Sequence, residues 1–389
     1  MLFRRRSTAT GVPNHARTFI AARVQWVRDA YLDKVVSKEK NLKQVISLMN
    51  QIHNSPSKAL PLSSLSLLKP SINLHAKTTS FLHNYHTLFT LFQPSPSLPV
   101  HVKLTHHAVS LLRQEEALRR DPNLREDAVE RLAKVLMLAG CCRLPLRVIE
   151  RFRFDLALPR DYVTALLSDY PELFNVCEKE GELFLELVAW RREFAVPEVE
   201  RRAGKRGRLE FALSYPSGFD LKKRVRDWVL EWQGLPYVSP YENAFHLRPT
   251  GDQAEKWDVA VLHELLWLLV SKKTEKENLL LLGNYLGLED RFRKVVIHHP
   301  GIFYVSNKIR TQTVVLREAY RKDMLMEKHP LMGMRYRYIH LMNKSDEMWR
   351  RSASAGVLQP WLKRPGTSSS IKKLKEKIDH SSLKTQILF

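Results

Sequence analysis

Apolar positions along the chain follow two periods that alternate in blocks. Tyr162, Val163, Leu166 and Leu167 fall on one face at helical spacing. Past Phe174 the period drops to two, and residues 183–188 predict a strand with Leu183, Leu185 and Leu187 inward and Phe184 and Glu186 outward. The intervening "CEKEGE" contains Gly181 and reads as a turn, so the segment is a β-hairpin. Upstream, residues 144–167 predict a helix starting at Pro145, a good first-turn residue, then a turn at "DLALP" and a further helix. Before these, "EDAVERLAKVLMLAG" (126–140) predicts a helix closed by Gly140. Helix, helix, turn, helix, hairpin is the order of a winged helix-turn-helix, in which the hairpin is the wing.

The same pattern is written more than once. "LLSDYPELFNV" (166–176) and "VVIHHPGIFYV" (295–305) share a Pro at the sixth position, Phe at the ninth and Val at the eleventh, and "FLHNYHTLFTL" (81–91) is a weaker copy. The third unit reads as helices in "WDVAVLHELLWLLV", "KENLLLLGNYLGL" and "EDRFRKVVIHH", the last opened by acids, followed by a hairpin centred on "NKIR". Phe174 to Leu187 and Phe303 to Leu316 are both 13 residues, which predicts equal hairpin register. In the first copy a Pro-rich turn (Pro94, Pro96, Pro99) predicts a longer wing. The Pro is expected to stop the helix, and the Phe and Val to plug the hairpin onto the core. The fold class expected is mostly α with short β-hairpins (α+β), built as tandem winged-helix-like repeats. The repeats are expected near 42–105, 126–190 and 256–320, with a looser basic insert at 196–250.

Composition narrows the function. Among 389 residues the net charge is +22, and a chain this basic usually meets a polyanion: RNA, DNA or an anionic membrane. The longest apolar run, "VLHELLWLLV" (261–270), is interrupted by His263 and Glu264 and is too short to span a bilayer, so it predicts a buried helix and no membrane insertion. Cys141, Cys142 and Cys177 form neither a CxxC pair nor a disulfide framework. Residues 1–28 hold six Arg and no acid, the pattern of an organelle transit peptide, assigned to 1–24. Its early arginines favour the mitochondrion over the chloroplast. A basic arm that binds nucleic acid is the other reading of this segment. Residues 346–389 read as a disordered lysine-rich tail.

Several blocks in order, "DAYLDKVVSKEKNL" (29–42), "VERLAKVLMLAGCCRLPLRVIERFRFDLALPRDYV" (129–163), "YPELFNV" (170–176) and "LELVAW" (185–190), resemble the plant organelle RNA recognition (PORR) domain family. The resemblance covers roughly 24–345, assigned as a 25–345 RNA-binding region. It implies a nuclear-encoded plant protein imported into mitochondria or chloroplasts that binds organellar RNA. It further implies promotion of group II intron splicing, with other splicing factors as further candidate partners and no catalytic residues. "WRREF" (190–194) departs from the pattern, with Arg191 where an acid is expected after the Trp.

No P-loop, GxGxxG, HExxH or GxSxG is present, and no Cys or carboxylate cluster accompanies the His pairs, so neither an enzyme, a cofactor nor a metal is expected. The candidate RNA contacts are clustered cations. They are Arg201, Arg202, Lys205, Arg206 and Arg208; Lys222, Lys223, Arg224 and Arg226, ahead of Trp228; Arg291, Arg293 and Lys294; and Lys308 and Arg310. "MRYRY" adds Arg335, Tyr336, Arg337 and Tyr338, a mix suited to phosphate binding and base stacking. Glu178, Glu180 and Glu182 make the second wing acidic and unsuited to phosphate. Two other readings remain: a helical scaffold in an organellar ribonucleoprotein, and a winged-helix DNA-binding factor.

Overall fold

The computed structural model describes residues 27–204, 207–216, 218–288 and 291–354. Residues 1–26 and 355–389, and with them the assigned transit peptide and most of the assigned tail, lie outside the described residues, as do Lys205, Arg206 and the acids Glu289 and Asp290.

The described chain opens with α1 (Ala30–Lys38). Next come α2 (Leu42–Asn54), β1 (Ala59–Pro61), α3 (Leu62–Leu68), α4 (Thr78–Asn84), β2 (Phe89–Phe92) and β3 (His101–Leu104), then α5 (His106–Arg119). The same order returns as α6 (Pro122–Leu138), β4 (Arg143–Pro145), α7 (Leu146–Phe152), α8 (Tyr162–Ala165), β5 (Phe174–Lys179) and β6 (Glu182–Leu187). After α9 (Glu198–Ala203) and α10 (Lys223–Gln233) it returns again as α11 (Asp252–Leu268), β7 (Lys273–Glu275), α12 (Lys276–Gly283), α13 (Arg291–His298), β8 (Phe303–Ser306) and β9 (Thr313–Leu316). A short ribbon, β10 (Tyr320–Arg321) with β11 (Met324–Leu325), leads to α14 (Pro330–Ser354). The architecture is mixed α+β with small antiparallel sheets. The helix α14 continues to Ser354, so the tail assigned from 346 begins as helix.

Each copy closes a three-stranded antiparallel sheet with its last strand in the middle: β1-β3-β2, β4-β6-β5 and β7-β9-β8. The strand register answers the spacing of the sequence: Phe174 pairs with Leu187 and Phe303 with Leu316, while the first copy pairs Phe89 with Leu104 around a longer loop. Periodicity alone missed the short first strand of each sheet. A shared device produces it. The residue just before that strand, Lys58, Cys142 or Lys272, adopts the left-handed region at the same φ of 51°. Gly140 does not close α6; Ala139 ends it in extended backbone and Cys142 takes the left-handed turn.

Hairpin packing differs from expectation in one respect. The Phe residues are plugs, at 3%, 5% and 1% exposure for Phe89, Phe174 and Phe303. Val176 is exposed, and the residue sealing each sheet is the one opposite the eleventh position: Val102, Leu185 and Val314, each fully buried. The central strand is covered by both neighbours, whereas β5 is an edge. Leu183, expected inward, is half exposed, because the hairpin reaches past the core before turning at Glu180–Gly181, both at positive φ.

The described chain divides into two compact units, one of residues 27–40 with 118–332, the other of 41–117 with 333–354. In the smaller, α14 is held by Tyr338 Oη donating to Glu115 (2.8 Å) and Thr87 Oγ1 donating to the Leu341 carbonyl (2.7 Å). In the larger, the second and third copies share one hydrophobic core, and α1 packs on the outer face of the third sheet. There Asp33 accepts from Tyr304 (2.9 Å) and Ser306 (2.7 Å), and Asp29 accepts from the buried Arg317 (2.7 Å).

At the centre of the larger unit, α11 is buried on every side, as the long apolar run at 261–270 predicts, and His263 and Glu264 within that run are buried with it. Its polar residues therefore need partners, and the 196–250 segment supplies most of them. Glu264 accepts from the Glu198 backbone N–H (2.8 Å) and the Tyr241 hydroxyl (2.7 Å). Lys256 donates to the carbonyls of Gln233 (2.6 Å) and Leu235 (2.7 Å), and the Trp257 indole donates to that of Ser239 (3.2 Å). The insert is thus tied to the core through buried bonds, which corrects the expectation of a loose segment.

Two carboxyls on α11 titrate in opposite directions. Burial would raise Glu255, but hydrogen bonds with His298 and His299 outweigh it and hold the carboxyl at about 2. Burial raises Asp258 to about 7, with the Glu255 carboxylate adding to the rise and the Arg291 guanidinium, 3.5 Å away, opposing it only in part. A folded-state pKa above the ordinary 3.8 means that stability falls as pH rises from about 4 to about 7 and stays flat beyond. Asp258→Asn should therefore increase stability at pH 8, by at most about 4 kcal/mol and visible as a higher melting temperature, and leave the melting temperature nearly unchanged at pH 4. Equal melting temperatures at pH 8 would refute this. Phe303→Ala, by contrast, should cost about 3–5 kcal/mol at either pH in denaturant titration, since it empties a sealed core position.

Candidate nucleic-acid interface

The third copy sorts its cations by helical phase. On α13, Phe292, Val295 and Val296 are buried, which leaves Arg293, Lys294 and Ile297 on the exposed face. Arg291 points the other way: it donates to the Gly287 carbonyl and neighbours Asp258. Beside this face, Lys276 opens α12. Burial lowers its pKa and the nearby Arg293 lowers it further, and its ammonium donates to Gln312 of the hairpin (2.8 Å). Lys308 and Arg310 are exposed on the same hairpin's turn. Sequence reading missed Lys276, which stands alone among neighbours of both signs and gains its context only when strand β7 turns the chain back beside α13.

The insert contributes a second exposed group. Val225, Val229 and Trp232 are buried at helical spacing on α10, so Lys222, Lys223 and Arg224 project outward from its first turn. Arg226 is also exposed but leans on Asp220 (3.4 Å) and the Leu221 carbonyl (3.3 Å). Trp228 is half-buried, its ring 5.7 Å from His299 and 6.4 Å from Trp232, so it belongs to the packing of α10 against the end of α13. The insert is also pressed onto the turn after α13. The Ser214 N–H donates to the Gly301 carbonyl (2.8 Å), and a Cβ at Gly301 would lie 2.6 Å from the tip of the Tyr215 ring, so any side chain there would displace that ring.

Other predicted contacts are spent on structure. Arg201 and Arg202 both donate to the buried carboxylate of Glu198 (2.7 Å). Arg202 also reaches Glu318 (2.9 Å) and lies over the Trp267 ring (4.1 Å). Both are ion-paired at the edge of the core, with side chains still 67% and 41% exposed, so they are not the unpaired cations that clustering alone suggested. Arg208 remains outside, 90% exposed at its side chain and 3.5 Å from Glu210. In "MRYRY" the helix period splits the motif. Arg335 and Tyr338 are buried in the smaller unit, and a buried ring cannot stack a base, so both leave the set of contacts. Tyr336 and Arg337 face outward, with Arg337 donating to Gln114 (2.5 Å).

The exposed set carries a local penalty. Lys223 and Arg224 stand in the first turn of α10 and Arg293 and Lys294 in that of α13, where the helix dipole disfavours cations by about 0.3–1 kcal/mol each. An external anion would reverse that sign. Among the described residues no group of three His, Cys, Asp or Glu could hold a metal ion, and no helix is long and apolar enough to cross a membrane.

The chain is 33% identical to WHAT'S THIS FACTOR 9, mitochondrial, of Arabidopsis thaliana, over 85% of this chain and 87% of that protein. It is 28% identical to ROOT PRIMORDIUM DEFECTIVE 1 of Arabidopsis thaliana, over 85% and 86%. It is 29% identical to WHAT'S THIS FACTOR 1, chloroplastic, of Zea mays, over 80% and 65%. No solved structure matches. Residues 27–347 match the model of the plant organelle RNA recognition domain, and the chain belongs to the PORR domain family.

Proposed function

We propose that the chain is a non-enzymatic RNA-binding protein of a plant organelle, the mitochondrion, that promotes splicing of a group II intron. It holds the RNA in a splicing-competent fold, and the intron supplies the chemistry. The observation that carries this reading is the outward cation set of the third copy, Arg293, Lys294, Lys308 and Arg310, on a chain of net charge +22 within an RNA-recognition family. The repeated helix–strand–helix–helix–hairpin unit is a winged helix-turn-helix in this reading, with α13 in the position of the recognition helix and β8–β9 as the wing. Lys222, Lys223, Arg224 and Arg208 extend the phosphate contacts onto the insert. The mitochondrial address is supported by the arginine-rich, acid-free first 28 residues and by the likeness to a relative named as mitochondrial; other relatives are named as chloroplastic.

Single-stranded phosphates each contribute about 0.7 to the log–log salt slope of binding. The double variant Arg293→Ala with Lys294→Ala should therefore flatten the slope for intron RNA by about 1.4 without lowering the melting temperature. Arg291→Ala should do the reverse. It should change the slope little and lower the melting temperature at pH 8, because it strips the buried Asp258 of its counter-charge. A double variant that binds with unchanged affinity and slope would remove α13 from the interface.

In the organelle, immunoprecipitation of a tagged copy should enrich one or a few intron-containing transcripts, and depletion should leave those introns unspliced. Recovery of protein without any enriched RNA would favour the scaffold reading. Enrichment of duplex DNA would favour the DNA-binding reading.

A further inference from the structure

The three sheets share one topology, and their outer faces have diverged. In the third, the outer positions Tyr304, Ser306 and Lys273 are covered by α1, through Asp33 and through an ion pair from Lys273 to Glu39 (2.7 Å). In the second, Arg143 and Glu186 face each other at 3.6 Å across the strands beside Phe184, a self-neutralised surface. In the first, register places Thr90 opposite Lys103 and Phe92 opposite His101 on the outer face. Ala59 and Pro61 of β1 extend that face as a short apolar floor. It therefore carries an aromatic ring, an imidazole and a cation, and no acid.

These groups are arranged for use. Thr90 and Lys103 are exposed, and Phe92 and His101 are half-buried, seated but open on one side. Lys103 Nζ lies 5.0 Å from the centre of the Phe92 ring, and among the described residues it has no carboxylate partner. The Phe92 and His101 rings are 5.9 Å apart. His101 Nδ1 lies 2.7 Å from the Pro99 carbonyl, which can only accept, so Nδ1 carries the proton and Nε2 of the neutral ring is an acceptor. The adjoining loop is braced, Gln93 donating to the carbonyls of Pro96 (3.1 Å) and Leu98 (2.9 Å), so the platform is set before any ligand arrives.

We propose that the outer face of the first sheet is a second RNA contact, at which one unpaired base stacks on Phe92, His101 Nε2 accepts from an amino or imino group of that base, and Lys103 leaves the ring for the neighbouring phosphate. This rests on the RNA-binding reading and adds a site in the smaller unit that clusters of cations do not reveal. An aromatic ring on an open sheet with a lysine beside it suits unpaired bases, because stacking needs a free π-face that duplex does not present.

The test uses the full chain and a single-stranded RNA oligonucleotide with 2-aminopurine at successive positions, with the same strand annealed to its complement as the duplex arm. At one position, fluorescence should change on binding to wild type as the base stacks. Phe92→Leu, which keeps an apolar side chain, should lose that change and about tenfold in affinity for the single strand, with the salt slope intact. Phe92→Tyr should retain both. Lys103→Gln should flatten the slope by about 0.7 and keep the fluorescence change. All variants are compared at equal folded fraction by near-ultraviolet circular dichroism. If Phe92→Leu does not fold, Phe92→Tyr and Lys103→Gln still decide: loss of the signal in Phe92→Tyr, or an unchanged slope in Lys103→Gln, overturns the site. If wild type binds the strand while folded Phe92→Leu binds it equally, this site is overturned and the cation surface of the third copy stands. If wild type binds no RNA, both readings fall. A duplex bound as tightly as the single strand, with the same dependence on Phe92, also overturns the stacking site.

Discussion

A helix buried on all sides constrains the larger unit. The side chains of α11 meet protein in every direction, and five of them, Glu255, Lys256, Asp258, His263 and Glu264, are ionisable and buried. An unpaired buried polar group costs about 1–3 kcal/mol, and more when charged, so such a helix is tolerable only if the surrounding chain brings partners to it. That requirement explains the insert. Residues 196–250 have little regular structure, yet they run where Glu264, Lys256 and Trp257 need a hydroxyl, carbonyls and an N–H. Residues from beyond the third sheet do the same for His263, whose Nε2 meets Glu318 Oε1 (2.8 Å), the same oxygen that accepts from Arg202 (2.9 Å).

The same pairing decides which cations reach solvent. Acids in the larger unit are drawn inward: Asp29 and Asp33 to dock α1, Glu198 and Glu318 to hold arginines, Glu264 to hold the insert. Three of these acids also engage arginines: Glu198 holds Arg201 and Arg202, Glu318 holds Arg202, and Asp29 holds Arg317. Burying an acid also removes a negative charge from the surface. The cations exposed on α10 and α13 are those whose helix phase points away from the core.

Much of the fold is legible in sequence because it is written in periodicity. The change from a period near 3.6 to a period of two located the hairpin of the second copy, the shared pattern placed those of the other two, and the 13-residue Phe-to-Leu spacing anticipated the pairings Phe174–Leu187 and Phe303–Leu316; the short β10–β11 ribbon was not read. The first strand of each sheet was invisible, since three residues carry no period and the left-handed residue before it is Lys, Cys and Lys where glycine would have signalled a turn. Site residues were legible only as a class. Clustering finds cations but not their direction. Arg335 and Tyr338 are turned inward by the helix period, Arg201 and Arg202 are captured by an acid three and four residues back, and Arg291 is captured by one on another helix. The i,i+3 and i,i+4 captures could have been read from the sequence; the long-range one could not.

What the sequence repeats and what it varies carry different information. The repeated part, a left-handed residue, a short strand and a buried Phe facing a Leu, is what closes three strands over a helical core, and it recurs because that geometry admits few substitutes. The varied part is the outer face of each sheet, which contributes nothing to closure and is free to specialise. One such face has acquired hydroxyls that meet carboxylates and so binds a helix of its own chain; one has acquired a facing Arg and Glu and neutralises itself; one has acquired an aromatic ring and a lysine without an acid. Cations in the first turns of α10 and α13 follow the same logic, since they oppose the helix dipole and add nothing to folding. Positions where folding is indifferent or mildly opposed, yet the side chains are chemically matched to a phosphate or a base, are where an RNA-binding surface is to be sought on this scaffold.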